Sequence, residues 1–325
     1  MLKVIEHIKK FGLDVTVKEF KLKTREYDNK ILLKYDQIGS NMGIEEVQDC
    51  RGLILEKNTW RILSLSFRKF FNSAEGHAAK IDWETARILC KEDGSMIQCY
   101  YDWNKETWFA ATTGTAEGEG EVNNKLGLTF NSLFKKTLKD KYNFTLEEFN
   151  KDNVYIFELT TPYNIVVAPH SESSTKLLAI RNRINLEEKT YDELVEFGEL
   201  TGLEVVKSFD LNATNTGHLL KTFENMPWTE EGYIVIDGNF NRVKVKNPAY
   251  VSVHHLKSKL GEHNIMGVVK TNEVDEFIAT FKERKDEILK LKENFNELVN
   301  NLDKIWGEIK DFKPKNITPK EKKRF

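Results

Sequence analysis

Alternation of apolar and polar positions predicts most of the ordered structure between residues 51 and 246. From Arg51 to Phe67 two alternating runs flank a polar turn at Asn58-Thr59, the signature of a hairpin. Arg87 to Cys90 is a short apolar run. Met96 to Thr113 forms a second hairpin around Trp103-Asn104-Lys105. Gly114 to Gly120, glycine-rich and acidic, is expected to be a flexible loop. Val154 to Leu159, Asn164 to Ala168 and Lys176 to Arg181 are predicted as strands. Asn131 to Asp140, Tyr191 to Leu200 and Asn215 to Glu224 are predicted as helices. Gly232 to Asp237 and Arg242 to Lys246 form a hairpin across Asp237-Gly238-Asn239, because Asp-Gly suits the tight turns that hairpins need. Hairpins interspersed with helices give an α+β fold with mainly antiparallel sheets flanked by helices.

The period changes after about Leu256. Val274, Phe277, Ile278, Phe281, Ile288, Leu291, Phe295, Leu298, Leu302, Ile305 and Ile309 recur at helical spacing, with charge on the other face. One long or two shorter amphipathic helices are expected, as a small all-helical C-terminal module. Lys313 to Phe325, with two prolines and a Lys-Lys-Arg run, is expected to be a mobile basic tail. The expected division is 1–255, 256–312 and 313–325.

Composition narrows the class. The 325 residues are 40% hydrophobic and 31% charged, as in a soluble globular protein, and the net charge of −2 offers no global attraction to nucleic acid. A polyanion site must then be a local basic surface. Cys50, Cys90 and Cys99 form no CxxC pair, which favours reduced thiols in the cytoplasm over disulfides or structural zinc. No apolar run is long enough to span a bilayer, so no membrane partner is expected, and the chain is expected to be a monomer. G-x-x-x-x-G-K-[ST], H-E-x-x-H and G-x-S-x-G are absent. His254-His255 reads as a helical pair with one member exposed.

The candidate chemistry centres on Lys91-Glu92-Asp93-Gly94-Ser95, between two predicted strands. A strand fixes the lysine backbone, Gly94 permits close approach of a ligand, and a desolvated amine is a nucleophile. Surface turns produce such a string often, so its partners decide. In Arg242-Val243-Lys244-Val245-Lys246 the strand period puts both lysines on one face, either a solvated edge or a phosphate site beside Glu231. Glu158 lies in an apolar strand and needs a partner: a structural arginine, a sugar hydroxyl or a metal ion. Arg51 opens a strand and either pairs with an acid or grips phosphate through two donors. In Arg68-Lys69-Phe70-Phe71-Asn72, either phenylalanine suits a base-stacking role or the core equally well.

In this order the motifs resemble the covalent nucleotidyltransferase superfamily of ligases and capping enzymes, and most of all the bacteriophage RNA ligase 1 type. The resemblance covers roughly Tyr35 to Tyr250. Lys91-Glu92-Asp93-Gly94 is similar to the nucleotidyl-lysine motif, with Lys91 as nucleophile. Cys50-Arg51-Gly52 and Lys69-Phe70-Phe71-Asn72 are similar to segments upstream of it. Phe157-Glu158 resembles the motif whose glutamate contacts ribose, and Leu177 to Arg181 the strand that follows. Glu231-Gly232 resembles a metal-associated motif, and Lys244-Val245-Lys246 the motif whose lysines contact phosphates. Tyr250 also fits the group. Two departures stand out: Trp108 to Thr113 ends in threonines where some relatives carry a basic residue, and no C-terminal OB-fold is visible.

The resemblance implies an ATP-dependent RNA ligase joining 5′-phosphate and 3′-hydroxyl ends through lysyl-AMP and adenylylated RNA, in RNA repair, with cleaved tRNA as one candidate substrate. It implies Lys91, Lys244 and Lys246 as catalytic, and Arg51, Lys69, Phe70, Glu92, Gly94, Glu158, Glu231, Gly232 and Tyr250 around the nucleotide. Mg²⁺, or Mn²⁺ in its place, is expected at Glu231. The competing expectations are a capping-type guanylyltransferase, a DNA ligase, or an inactive RNA-binding module.

Overall fold

The structure, a computed structural model, describes residues 1–123, 127–257 and 285–309, with Val269, Val274 and Ile278. The chain divides into two compact units, Met1–Lys259 and Leu260–Phe325.

The first unit holds three main sheets. The first contains β1 (Leu22–Glu26), β2 (Lys30–Tyr35), β3 (Arg51–Glu56) and β4 (Ile62–Ser64), in that order and all antiparallel. Two helices, α1 (Lys3–Phe11) and α2 (Leu13–Glu19), precede it, and α3 (Glu45–Asp49) lies between β2 and β3. β5 (Phe71–Asn72) and β6 (Arg87–Cys90) follow in the chain. Next come β7 (Ser95–Asp102), β8 (Thr107–Ala111) and a small ribbon of β9 (Glu121–Asn123) with β10 (Leu128–Thr129). After α4 (Phe130–Tyr142), β11 (Asn153–Thr160) and β12 (Ser174–Asn182) complete the second sheet, ordered β12-β11-β7-β8. α5 (Tyr191–Thr201), β13 (Ser208–Phe209), α6 (Thr216–Thr222), β14 (Gly232–Ile236), β15 (Arg242–Lys246) and α7 (Pro248–Lys257) follow. The third sheet is ordered β13-β6-β14-β15-β5, antiparallel except where β15 meets β5.

Strand alternation assigns each sheet's faces. Val154 and Ile156 of β11 join the core shared with the first sheet, with Leu33, Ile54 and Tyr100. Tyr155, Phe157 and Leu159 face the opposite way, against Phe134 of α4 and Leu194 of α5. By the same period Glu158 belongs with Val154 and Ile156 rather than with the helices. In the third sheet Ile88, Val235, Val243 and Val245 pack with Leu219 of α6, which leaves Lys244 and Lys246 for the other face.

Most of the predicted elements form, with local differences. Asn164 to Ala168 is not a strand: the Val167 and Ala168 amides donate to the Asp93 carboxylate instead of to a ladder. The return strand of the first hairpin stops at Ser64. The acidic loop is pinned rather than free. Buried Lys30 reaches Asp102 at 2.7 Å and Glu117 at 2.9 Å, and the Tyr27 hydroxyl donates to Glu119 at 2.6 Å. Burial raises the Tyr27 phenol well above its ordinary range. The first 49 residues, which carried no prediction of secondary structure, supply α1, α2, β1, β2 and α3.

In the second unit α8 (Lys285–Ile309) is a continuous helix, with Ile288 buried beside Val269 and Val274 and packed by Ile278, Leu291 and Phe295. Leu298, Leu302 and Ile305 are exposed. Phe277, Phe281 and the basic tail from Lys313 lie outside the described residues. Among the described residues no helix is long and apolar enough to cross a membrane.

The Lys30 network yields a stability prediction. Lys30→Ala leaves the fully buried Asp102 carboxylate without its cation, and losing one partner of a buried pair costs about 3–5 kcal/mol. Urea unfolding of the variant should show a loss of that order. A loss below about 1 kcal/mol would show that water reaches Asp102 freely.

Candidate active site

β6 delivers Lys91 to the edge of a cleft of about 570 Å³. The Lys91 amide donates to the Gly232 carbonyl at 3.0 Å, extending the β6–β14 pairing by one residue. On the other side of β14, Gly232 pairs with Lys246. Lys91, Gly232 and Lys246 therefore form one row across three strands. Gly232 has φ +128°, and a Cβ there would lie 2.3 Å from the Val245 carbonyl oxygen, so no larger residue fits between the lysines. Glu231, just outside the row, receives Lys91 Nζ at 2.7 Å and Lys246 Nζ at 3.5 Å on the same Oε1.

Lys244 lies on the same strand face as Lys246. Burial pushes its ammonium well below the ordinary lysine value, and Arg51, Lys69, Lys91 and Lys246 push it further the same way. Arg51 stands 5.2 Å from the Phe70 ring centre, and Lys244 Nζ is also 5.2 Å from it. Arg51 Nη1 is buried and has no hydrogen-bond partner among the described residues. An orphaned guanidinium nitrogen in a cluster of cations is a vacancy for anionic oxygens.

Glu158 approaches from β11 in the second sheet. Burial raises its carboxyl to about 8; Glu231 and Glu92 add to the rise, while Lys91 and Arg51 oppose it. Near neutral pH this carboxyl therefore keeps its proton and can donate as well as accept a hydrogen bond.

The structure gathers Lys91, Lys244, Arg51, Phe70, Glu92, Gly94 and Glu158 around the cleft, with Glu231 and Lys246 joined to Lys91. Lys69 does not line it; its ammonium lies 5.4 Å from the Tyr35 ring and 5.5 Å from that of Phe71, and acts on Lys244 by charge. Gly94 has a packing reason as well: a Cβ there would lie 2.4 Å from the Leu159 carbonyl oxygen. Tyr250 is 2% exposed and away from the cleft lining; its hydroxyl donates to Asp93 Oδ1 at 2.8 Å.

Asp93 was missed by sequence reasoning and is the anchor of the motif. Besides Tyr250 it accepts the Val167 amide at 3.0 Å and that of Ala168, and His170 donates to its carbonyl at 2.9 Å. One buried carboxylate thus ties the Lys91 turn to α7 and to the loop after β11. The signal was present, since an acid two residues after the lysine at a strand end must find partners if buried. Arg242 and Lys34 also line the cleft. Arg242 shares the face of Lys244 and Lys246 by the same period of two, and it is held by Glu188 and lies 4.4 Å from the Phe67 ring. Thr112 and Thr113, at the strand end where some relatives of the type carry a basic residue, line the cleft.

Among the described residues no three His, Cys, Asp or Glu side chains converge into a metal cage. The donor set fits a hard cation that takes one carboxylate, Glu231, and fills its remaining positions with water and phosphate oxygens.

A family model described as RNA ligase matches residues 49–250. An RNA ligase from Rhodothermus phage RM378 is 26% identical over 339 residues, covering 85% of this chain and 76% of that protein. An archaeal ATP-dependent RNA ligase superposes with a TM-score of 0.53 at 10% identity, covering 90% of this chain and 78% of that one. A second form of that protein gives 0.53 at 12% identity, covering 91% and 79%.

Glu158 provides a pH test. Its folded pKa of about 8 exceeds the ordinary 4.5, so its contribution is fully present below about 4.5 and is lost as pH rises through about 8. Glu158→Gln removes that liability. The variant should gain stability over the parent between pH 4.5 and 8, by a few kcal/mol at about 1.4 kcal/mol per unit, and gain little in acid. Chemical denaturation at several pH values measures the difference; a gap that does not grow with pH would contradict the assignment.

More than half of the chain matches the family model, and the Lys91 turn, Glu231 and the cation cluster all fall inside the matched residues: the chain belongs to the RNA ligase family, of the phage RNA ligase 1 type.

Proposed function

We propose that this RNA ligase uses ATP to join RNA 5′-phosphate and 3′-hydroxyl ends through a lysyl-AMP intermediate on Lys91. The observation that carries the proposal is the Lys91–Glu231 contact at 2.7 Å beside four further cations, Arg51, Lys69, Lys244 and Lys246. Lys91 Nζ attacks the α-phosphorus of ATP, and the bond to pyrophosphate breaks. AMP then passes to an RNA 5′-phosphate, and a 3′-hydroxyl displaces AMP to form the phosphodiester. Activation is required because a phosphate monoester oxygen is a poor leaving group.

The side chains divide the work. Glu231 orients the Lys91 amine and is the acceptor in contact with its proton. Lys244, Lys246 and Arg51 neutralise charge on the phosphate oxygens as pyrophosphate departs, an electrostatic contribution made before reaction begins. Phe70 offers a face to the adenine, and Glu158 a hydrogen bond to the ribose. Glu92 and Gly94 shape the rim, while Tyr250 acts through Asp93. Mg²⁺, or Mn²⁺ in its place, would be held by Glu231 with water and phosphate oxygens, and supplies further charge neutralisation there. The enzyme works as a monomer in the cytoplasm, where Cys50, Cys90 and Cys99, all free thiols, stay reduced. Its role is RNA repair, with cleaved tRNA among the substrates.

The test is transfer of label from α-labelled ATP to denatured protein, with α-labelled GTP alongside. Label should come from ATP. Lys91→Ala should abolish transfer and the joining of 5′-phosphate ends while still sealing pre-adenylylated RNA. Normal transfer to Lys91→Ala would remove Lys91 as nucleophile; label from GTP would point to capping chemistry, and none from either nucleotide to a binding module.

A further inference from the structure

A second cleft, of about 720 Å³, is lined by Trp60, Arg61, Trp103, Asp152 and Arg183 among others, and shares no lining residue with the first. Its two tryptophans sit on the turns of two hairpins, β3–β4 and β7–β8. Both turns are locked. Trp60 adopts φ +60°, a left-handed conformation that a bulky side chain rarely takes, and its amide donates to the Glu56 carbonyl at 3.0 Å. The Glu56 carboxylate accepts Arg61 Nε at 2.8 Å and Asn104 Nδ2 at 2.8 Å, which joins one turn to the other. Asp102, fixed by Lys30, accepts the Asn104 amide at 2.9 Å and sets the Trp103 turn.

The fixed turns present an aromatic and cationic surface. Trp103 is 45% exposed. The Arg183 guanidinium lies 5.6 Å from its ring centre, and Lys151 Nζ 5.5 Å. Lys9 and Arg61 stand on the same cleft, with Asp152 as its acid. An exposed tryptophan, Trp103, beside the half-buried Trp60 and held rigidly among cations matches single-stranded nucleic acid, whose bases stack and whose phosphates need positive charge. Trp60 packs in part against the core of the first sheet, but a core role does not account for Trp103.

We propose that this cleft is a second RNA subsite, in which unpaired bases of the substrate strand stack on Trp103 and Trp60 while Arg183 and Lys9 contact the phosphates. The inference rests on reading the chain as an RNA ligase. β3 links the two clefts, with Arg51 at one end and Glu56 at the other, a strand of roughly 17–20 Å. The second cleft thus holds RNA away from the reacting ends and contributes to strand affinity rather than to nucleotide transfer.

The test uses the full chain without ATP and a fluorescent single-stranded oligoribonucleotide with a 5′-phosphate and a 3′-hydroxyl, read by anisotropy. Label transfer from ATP is measured in parallel. Trp103→Ala should weaken RNA binding about tenfold, within the range for one base–aromatic stack, and leave nucleotide transfer unchanged. Trp103→Phe should restore most of the affinity and Trp103→Leu should not. Arg183→Gln should make the affinity less dependent on salt. Equal affinity in the parent and in Trp103→Ala would overturn the subsite, as would equal rescue by phenylalanine and leucine. Loss of label transfer from the parent strikes the ligation mechanism and not the cleft, because RNA binding is read independently.

Discussion

Like charges repel, and a protein that buries one lysine among three others and an arginine must keep them apart or supply an anion. Around Lys244 this chain supplies little. Glu231 is already shared between Lys91 and Lys246 on one oxygen, and Glu158 is held in its protonated form by burial up to about 8. The ammonium of Lys244 yields instead, pushed well below its ordinary value. The unpartnered Arg51 Nη1 is a second sign of the same imbalance. A polyphosphate brings the missing negative charge, and its binding would relieve strain that folding imposes.

The scaffold exists to hold that imbalance in register. Three strands place Lys91, Gly232 and Lys246 in one row, and the steric demand at Gly232 keeps their backbones close. Asp93 fastens the turn carrying Lys91 to α7 and to the loop after β11, so its position does not depend on the cleft being filled. The Lys30–Asp102–Glu117 network does the same for the acidic loop, whose neighbours Thr112 to Gly114 line the site. Each tie is buried and charged, the kind of contact that fixes one arrangement sharply while adding modestly to net stability.

Much of this was legible in the chain, and the limits have physical causes. Strand alternation at Arg242 to Lys246 placed two lysines on one face, and Asp-Gly marked the hairpin correctly. The cleft gathers Lys91, Arg51, Phe70 and Glu158 from three sheets because ordered motifs carry long-range information that local pattern lacks. Asn164 to Ala168 misled because an apolar run looks the same whether its amides bond a strand or a single carboxylate. Tyr250 was expected at the nucleotide, and its partner Asp93 was overlooked, because the sequence does not show which acid a buried hydroxyl meets. The neighbouring tryptophan turns were invisible for a related reason: Trp60 and Trp103 are far apart in the chain, and the hydrogen bond from Asn104 to Glu56 joins their turns.

The central claim is that the cation cluster around Lys244 is built to receive a polyphosphate and gains a proton when it does. Calorimetric titration of ATP into the Lys91→Ala, Glu158→Gln chain, in two buffers of different ionisation enthalpy at mildly alkaline pH, measures that proton directly, since Glu158→Gln removes the carboxyl of the same cleft that titrates near 8. The account predicts net proton uptake on binding, abolished by Lys244→Met, because an adjacent anion returns the depressed ammonium toward its ordinary pKa. Binding with no proton uptake, or uptake that survives Lys244→Met, would contradict it.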